Sequence, residues 1–87
     1  MDNEIASELF KVLSDKTRLI IIEFLIHKDE VCACKLLELV DCNQSTLSHH
    51  MKMLVNSKLV IARKDWKWMH YSINYERLND LFLFLKK

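Results

Sequence analysis

Asn43-Gln44-Ser45-Thr46-Leu47-Ser48-His49-His50-Met51-Lys52-Met53-Leu54-Val55-Asn56 is the most strongly patterned stretch of the chain. Leu47, Met51, Leu54 and Val55 fall at i, i+4, i+7 and i+8, the apolar stripe of a helix. At about 100° per residue, Ser45, Ser48, His49, Lys52 and Asn56 gather on the opposite face. Asn43 is suited to cap the start of this helix. His50 points nearer the apolar side and reads as packing. Solvated helix faces are normally rich in Glu and Lys, yet no acid stands between Asn43 and Asn56.

Working outward, Asp41-Cys42-Asn43 makes a tight turn, and Leu36, Leu37 and Val40 give a short helix over about residues 33–40. Two short helices joined by such a turn, the second with a polar, acid-free face, read as a helix-turn-helix. Downstream, Leu59-Val60-Ile61-Ala62-Arg63-Lys64 and Trp68-Met69-His70-Tyr71-Ser72-Ile73 are β-rich, with Asp65-Trp66-Lys67 as the tip of a hairpin. Upstream, Ile5, Leu9, Val12 and Leu13 give a helix over about residues 3–13. Ser14 and Asp15 then offer a stop and a new N-cap. Leu19 to Ile26 is apolar nearly all round and reads as a central buried helix. The chain closes with a helix from about Tyr75, capped by Asn74, with Lys86-Lys87 favourable at its C-terminal end. The expected fold is mainly α with a small β-hairpin. It is a winged helix-turn-helix in the order helix-helix-helix-helix-strand-strand-helix, one domain over residues 1–87.

Composition narrows the chemistry. The 87 residues are 51% hydrophobic and 29% charged, which excludes a disordered tail. Apolar runs fall short of the roughly 18–20 residues of a membrane span, so no membrane association is expected. Gly and Pro are both absent, where average usage gives about six and four. Glycine-rich phosphate loops are therefore excluded. Three cysteines without a secretory signal point to reduced thiols and a cytoplasmic protein. The net charge is only +1, but it is unevenly spread. Residues 1–30 hold four bases and seven acids, whereas residues 58–68 hold Lys58, Arg63, Lys64 and Lys67 against Asp65 alone. Concentrated positive charge on the hairpin suggests an anionic partner.

Double-stranded DNA is that expected partner. Ser45, Ser48 and His49 are placed to meet base edges, with Gln44 and Thr46 flanking them at the end that enters the major groove. Lys52, Arg63, Lys64 and Lys67 are expected at phosphates or the minor groove. An ordinary solvated hairpin that uses lysines to block edge pairing is the competing view. Ile5, Leu9 and Val12, with Leu78, Leu81, Phe82 and Leu85, exceed what so small a core can cover. They are expected to form a two-fold homodimer interface.

Cys32-Ala33-Cys34 is a second constellation. A lone cysteine is usually a small buried hydrophobe. Two thiols at a helix start are instead favoured as thiolates, the metal-binding form. Soft thiolates select soft ions, such as trivalent arsenic or antimony and divalent cadmium or lead. In a regular helix positions i and i+2 point about 200° apart, so ion binding is expected to unwind the first turn. Cys42 would lie about 12 Å from Cys34 on a continuous helix and reaches the ion only if the chain folds back.

The chain resembles the ArsR/SmtB family of bacterial metal-sensing transcriptional repressors. Val12-Leu13-Ser14-Asp15-Lys16-Thr17-Arg18-Leu19, Val31-Cys32-Ala33-Cys34-Lys35-Leu36-Leu37, Gln44–Leu54 and Leu59–Asp65 carry the resemblance, in the right order over nearly the whole chain. It implies a homodimeric repressor released from its operator when a thiophilic ion, arsenite or antimonite first, occupies the cysteines. No cofactor is then needed for DNA binding. Many relatives have a third cysteine where this chain has Leu37. They usually have Pro at the position of Lys16 and Gly at those of Lys58 and Trp66, so a longer or reshaped wing is expected here. Histidine after His70, which zinc-binding relatives use in the last helix, is missing. The alternatives are a redox switch at the same thiols, a response to cadmium or lead, a dimerisation module without DNA contact, and a thiol enzyme. The last is disfavoured because so small a helical core offers no substrate pocket.

Overall fold

A computed structural model describes residues 1–86 of the protein; Lys87 lies outside the described residues. Five helices and three strands follow the expected order with one addition: α1 (Asn3–Leu13), α2 (Lys16–Ile26), β1 (Val31–Cys32), α3 (Ala33–Leu39), α4 (Gln44–Asn56), β2 (Val60–Asp65), β3 (Trp68–Ile73) and α5 (Tyr75–Lys86). The addition is β1. It pairs antiparallel with β3, so the hairpin becomes a three-stranded sheet in the order β1-β3-β2.

Short acidic or amide side chains start α1, α2 and α4. Asp2 accepts the Ile5 N–H at 2.9 Å, Asp15 the Arg18 N–H at 3.0 Å and Asn43 the Thr46 N–H at 2.8 Å. Each satisfies one of the N–H groups that a helix leaves free at its first turn. Without glycine, left-handed backbone falls to Lys58 (φ 68°) and Trp66 (φ 62°). Lys58 closes α4, its N–H bonded to the Val55 carbonyl at 3.0 Å. Trp66 opens the two-residue turn between β2 and β3. A positive φ at the first turn residue alone matches a type II′ hairpin. The wing thus turns in two residues, Trp66 and Lys67. Trp66 takes the strained conformation itself, at about 1–2 kcal/mol.

Ile21 and Leu25 of α2, Leu36 of α3, Leu54 of α4 and Leu59 are wholly enclosed, and Tyr71 and Ile73 cover the inner side of the sheet. Leu19 departs from the expectation of a helix buried all round, being 48% exposed. Leu9, Leu78 and Leu81, expected at an interface between subunits, belong to this same core. The reason is that α1 and α5 pack on each other and on the helices beneath, consuming one stripe of each. Ile5, Phe82 and Leu85 remain exposed, together with Phe10 and Leu83, and Val12 is half-buried.

Candidate nucleic-acid interface and thiol pair

α4 is held by its apolar stripe: Leu47, Met51 and Leu54 are buried. That fixes the rotation of the helix and turns Gln44, Ser45, Thr46, Ser48, His49 and Lys52 outward, all exposed. His50 lies on the shoulder between the two faces. Its side chain is 12% exposed, and Nδ1 stands 3.9 Å from Asp15 Oδ1. The same carboxylate caps α2 and lies 3.8 Å from Arg18 Nη2. The backbone hydrogen bond from Arg18, then His50 and the Arg18 guanidinium, hold Asp15 below the usual carboxylate range despite partial burial. This Asp15–Arg18–His50 cluster ties the start of α2 to α4, and the periodicity of either helix alone gives no sign of it.

The wing lies beside the exposed end of α4. Gln44 and Ser48 line a cavity of about 320 Å³ with Lys67 and Trp68 of the wing and Cys34 of α3. Leu37, Met51, Met69 and Tyr71 make its apolar wall. Lys64 and Lys67 are exposed at the tip. The Lys67 ammonium stands over both neighbouring indoles, 5.1 Å from the Trp66 ring centre and 5.5 Å from that of Trp68.

Arg63 is not the free cation expected there. Its Nη2 and Nε donate to the two carboxylate oxygens of Glu30 at 2.7 and 2.9 Å. The sheet register explains the pair: Arg63 sits opposite His70, and His70 opposite Cys32. The guanidinium thus reaches across β3 to the segment that leads into β1. Hydrogen bonding to Arg63 holds the Glu30 carboxyl below its ordinary range and pushes the Arg63 guanidinium up. A planar fork on a carboxylate is the geometry arginine offers best, and it leaves the wing with less free charge than composition suggests.

The thiols are closer than helical geometry allows. Cys32 ends β1 and caps α3 in extended conformation, φ −67° and ψ 143°. Its Sγ accepts the Cys34 N–H at 3.4 Å and the Cys34 S–H at 2.8 Å. The expected divergence of about 200° applies to two residues inside a helix; only Cys34 is inside. The two sulfurs therefore converge with α3 intact, so the divergence expected of two helical residues does not hold here. The Cys34 S–H and N–H hydrogen bonds lower the Cys32 thiol, while donating to Cys32 raises that of Cys34. Cys42 is half-buried against the core. Among the described residues, no group of three or more His, Cys, Asp or Glu side chains is arranged to hold a metal ion. No described helix is long and apolar enough to cross a membrane.

The model of the bacterial regulatory protein, arsR family, matches residues 15–62, more than half of the chain. The chain belongs to the ArsR family. It is a transcriptional regulator of the winged-helix type and not an enzyme. The arsenical resistance operon repressor of Staphylococcus aureus is 47% identical over 75 residues, covering 86% of this chain and 71% of that protein. The cadmium resistance transcriptional regulatory protein CadC of Lactococcus lactis subsp. lactis is 39% identical over 80 residues, 92% of this chain and 67% of that one. Among solved structures, an ArsR family transcriptional regulator superimposes with a TM-score of 0.88 at 19% identity, covering 99% of this chain and 88% of its own. Reduced HlyU from Vibrio cholerae gives 0.77 at 27% identity, over 92% of this chain and 84% of its own. In this ArsR-family chain the helix-turn-helix is α3–α4, and β2–β3 is the wing.

Proposed function

We propose that this ArsR-family protein is a cytoplasmic, homodimeric repressor that holds operator DNA and leaves it when a soft ion binds Cys32 and Cys34. Arsenite or antimonite is the favoured effector. The observation that carries this reading is the convergence of the Cys32 and Cys34 sulfurs on each other, with Cys34 lining the cavity shared with Gln44, Ser48 and Lys67. Trihydroxyarsenic condenses with two thiols, each S–H proton leaving as water with one arsenic hydroxyl. Capture of one ion by both sulfurs fixes Cys34, and with it the start of α3, against the cavity wall that α4 and the wing share.

Ile5, Phe82 and Leu85 on α1 and α5, with Phe10 and Leu83 beside them, form the apolar surface proposed for the dimer contact. A two-fold dimer sets the two α4 helices about 34–36 Å apart, one turn of DNA. Identity to an arsenical resistance operon repressor and to a cadmium resistance regulator supports the effector class. A second reading rests on the same short sulfur separation. The pair would be a dithiol that a peroxide oxidises to a disulfide, losing two protons and two electrons. Titrating arsenite, antimonite, cadmium, lead, zinc and hydrogen peroxide separately into the protein–DNA complex distinguishes these. Release by arsenite or antimonite at the lowest concentration is expected; release by peroxide alone would overturn the ion reading.

A further inference from the structure

Trp66 is the most exposed large apolar residue among those described, 81% accessible to solvent, and it also carries one of the two left-handed backbones. A residue with a Cβ is disfavoured in that conformation, and glycine would take the turn freely. The indole adds nothing to the core; what it meets is the Lys67 ammonium. Backbone strain of this kind clusters at functional sites.

The surroundings define the partner. The Lys67 ammonium stands over the ring, and Lys64 is exposed on the same hairpin with Asp65 as the one acid between them, so the tip is net positive and suits an anionic partner. Trp68, itself half exposed, continues from the tip into the cavity that Gln44 and Ser48 of α4 also line. The tip is thus continuous with the DNA-facing side of an ArsR-family winged helix. An apolar ring carried to DNA on a narrow hairpin fits between base pairs from the minor groove, where wedging residues part a base step and kink the duplex. We propose that Trp66 inserts at a minor-groove base step beside the site read by α4, with Lys67 at the adjoining phosphate, and that this protein bends its operator. The proposal rests on the DNA-binding reading given above.

Trp66 is the sole indole once Trp68→Phe is made, because the chain has two tryptophans. The probe is a short duplex that the protein selects from a random-sequence pool, end-labelled so that energy transfer reports bending. Binding is expected to quench Trp66 fluorescence and to shorten the end-to-end distance. Trp66→Phe should keep the bend. Trp66→Gly should lose it and weaken binding about tenfold, as loss of a stacked aromatic does, while its melting temperature stays level or rises. That combination separates a lost wedge from a damaged fold. An unchanged bend and affinity in Trp66→Gly would overturn the proposal. So would duplex binding without quenching, or quenching by anionic phospholipid vesicles and not by the duplex. Failure to select any duplex would overturn the DNA-binding reading and this inference with it.

Discussion

The Sγ atoms of Cys32 and Cys34 stand 2.8 Å apart because the two residues belong to different elements: Cys32 ends a strand, and Cys34 lies in the first turn of α3. A strand-to-helix corner folds the i and i+2 side chains together, whereas inside a helix they diverge. The Cys34 S–H and N–H hydrogen bonds to Cys32 make the pair unequal.

Cys32 should therefore be alkylated first. Its thiol titrates below the ordinary thiol range and that of Cys34 above it, so at neutral pH the thiolate belongs mainly to Cys32. Measured as rate against pH with iodoacetamide, the Cys32 profile should rise at lower pH than that of a model thiol. Cys34→Ala, which removes the S–H donor, should shift that profile to higher pH. Equal profiles for the two thiols would contradict the assignment.

Asp15 should matter to stability through its cap. Asp15→Ala is expected to cost about 1–2 kcal/mol in denaturant unfolding, and Asp15→Asn less, since an amide still caps. The folded carboxyl titrates below its unfolded value. Its contribution is thus complete above about pH 4 and is lost as pH falls through the lower folded value. Asp15→Asn should flatten that acid limb, and an unaltered limb would exclude Asp15 as a source of it.

Wing residues should separate by salt dependence. Lys64→Ala should weaken binding to all sequences alike and lower the salt slope by about one. Ser45→Ala and His49→Ala should instead alter preference between duplex variants by about 1–3 kcal/mol. Arg63→Ala uncovers the Glu30 carboxylate beside the wing, so its loss of affinity should be largely restored by adding Glu30→Gln. No restoration would mean that Arg63 meets phosphate directly.

Much of this was legible in sequence, for a physical reason. The helices and the hairpin have periodic apolar faces and side-chain caps, and both signals are local. β1 was not legible, because two residues carry no period, and its pairing partner lies some forty positions downstream in β3. Missing β1 turned Cys32 into a helical residue and predicted an unwinding that convergence of the sulfurs makes unnecessary. The Arg63–Glu30 pair is equally non-local, set by the register of all three strands. Leu9, Leu78 and Leu81 show a different limit: an apolar stripe says that a helix face is covered, not by which chain.

Lys58 closes α4 at φ 68° where glycine is the natural residue. Lys58→Gly should raise thermal stability by about 1 kcal/mol. A lower melting temperature would show that the lysine side chain supplies something the backbone argument omits.

The most direct measurement is release from labelled operator as arsenite is titrated into the wild-type, Cys32→Ser, Cys34→Ser and Cys42→Ser proteins. Operator binding without arsenite should be nearly unchanged in all four, since the DNA-bound form needs only a small residue at each position. Wild type and Cys42→Ser should be released together, while Cys32→Ser and Cys34→Ser should stay bound. A ligand shifts the equilibrium only by its differential affinity for the free form, so operator DNA should weaken arsenite binding by the same factor that arsenite weakens DNA binding. Normal release of the Cys32→Ser and Cys34→Ser proteins would remove this pair as the sensor.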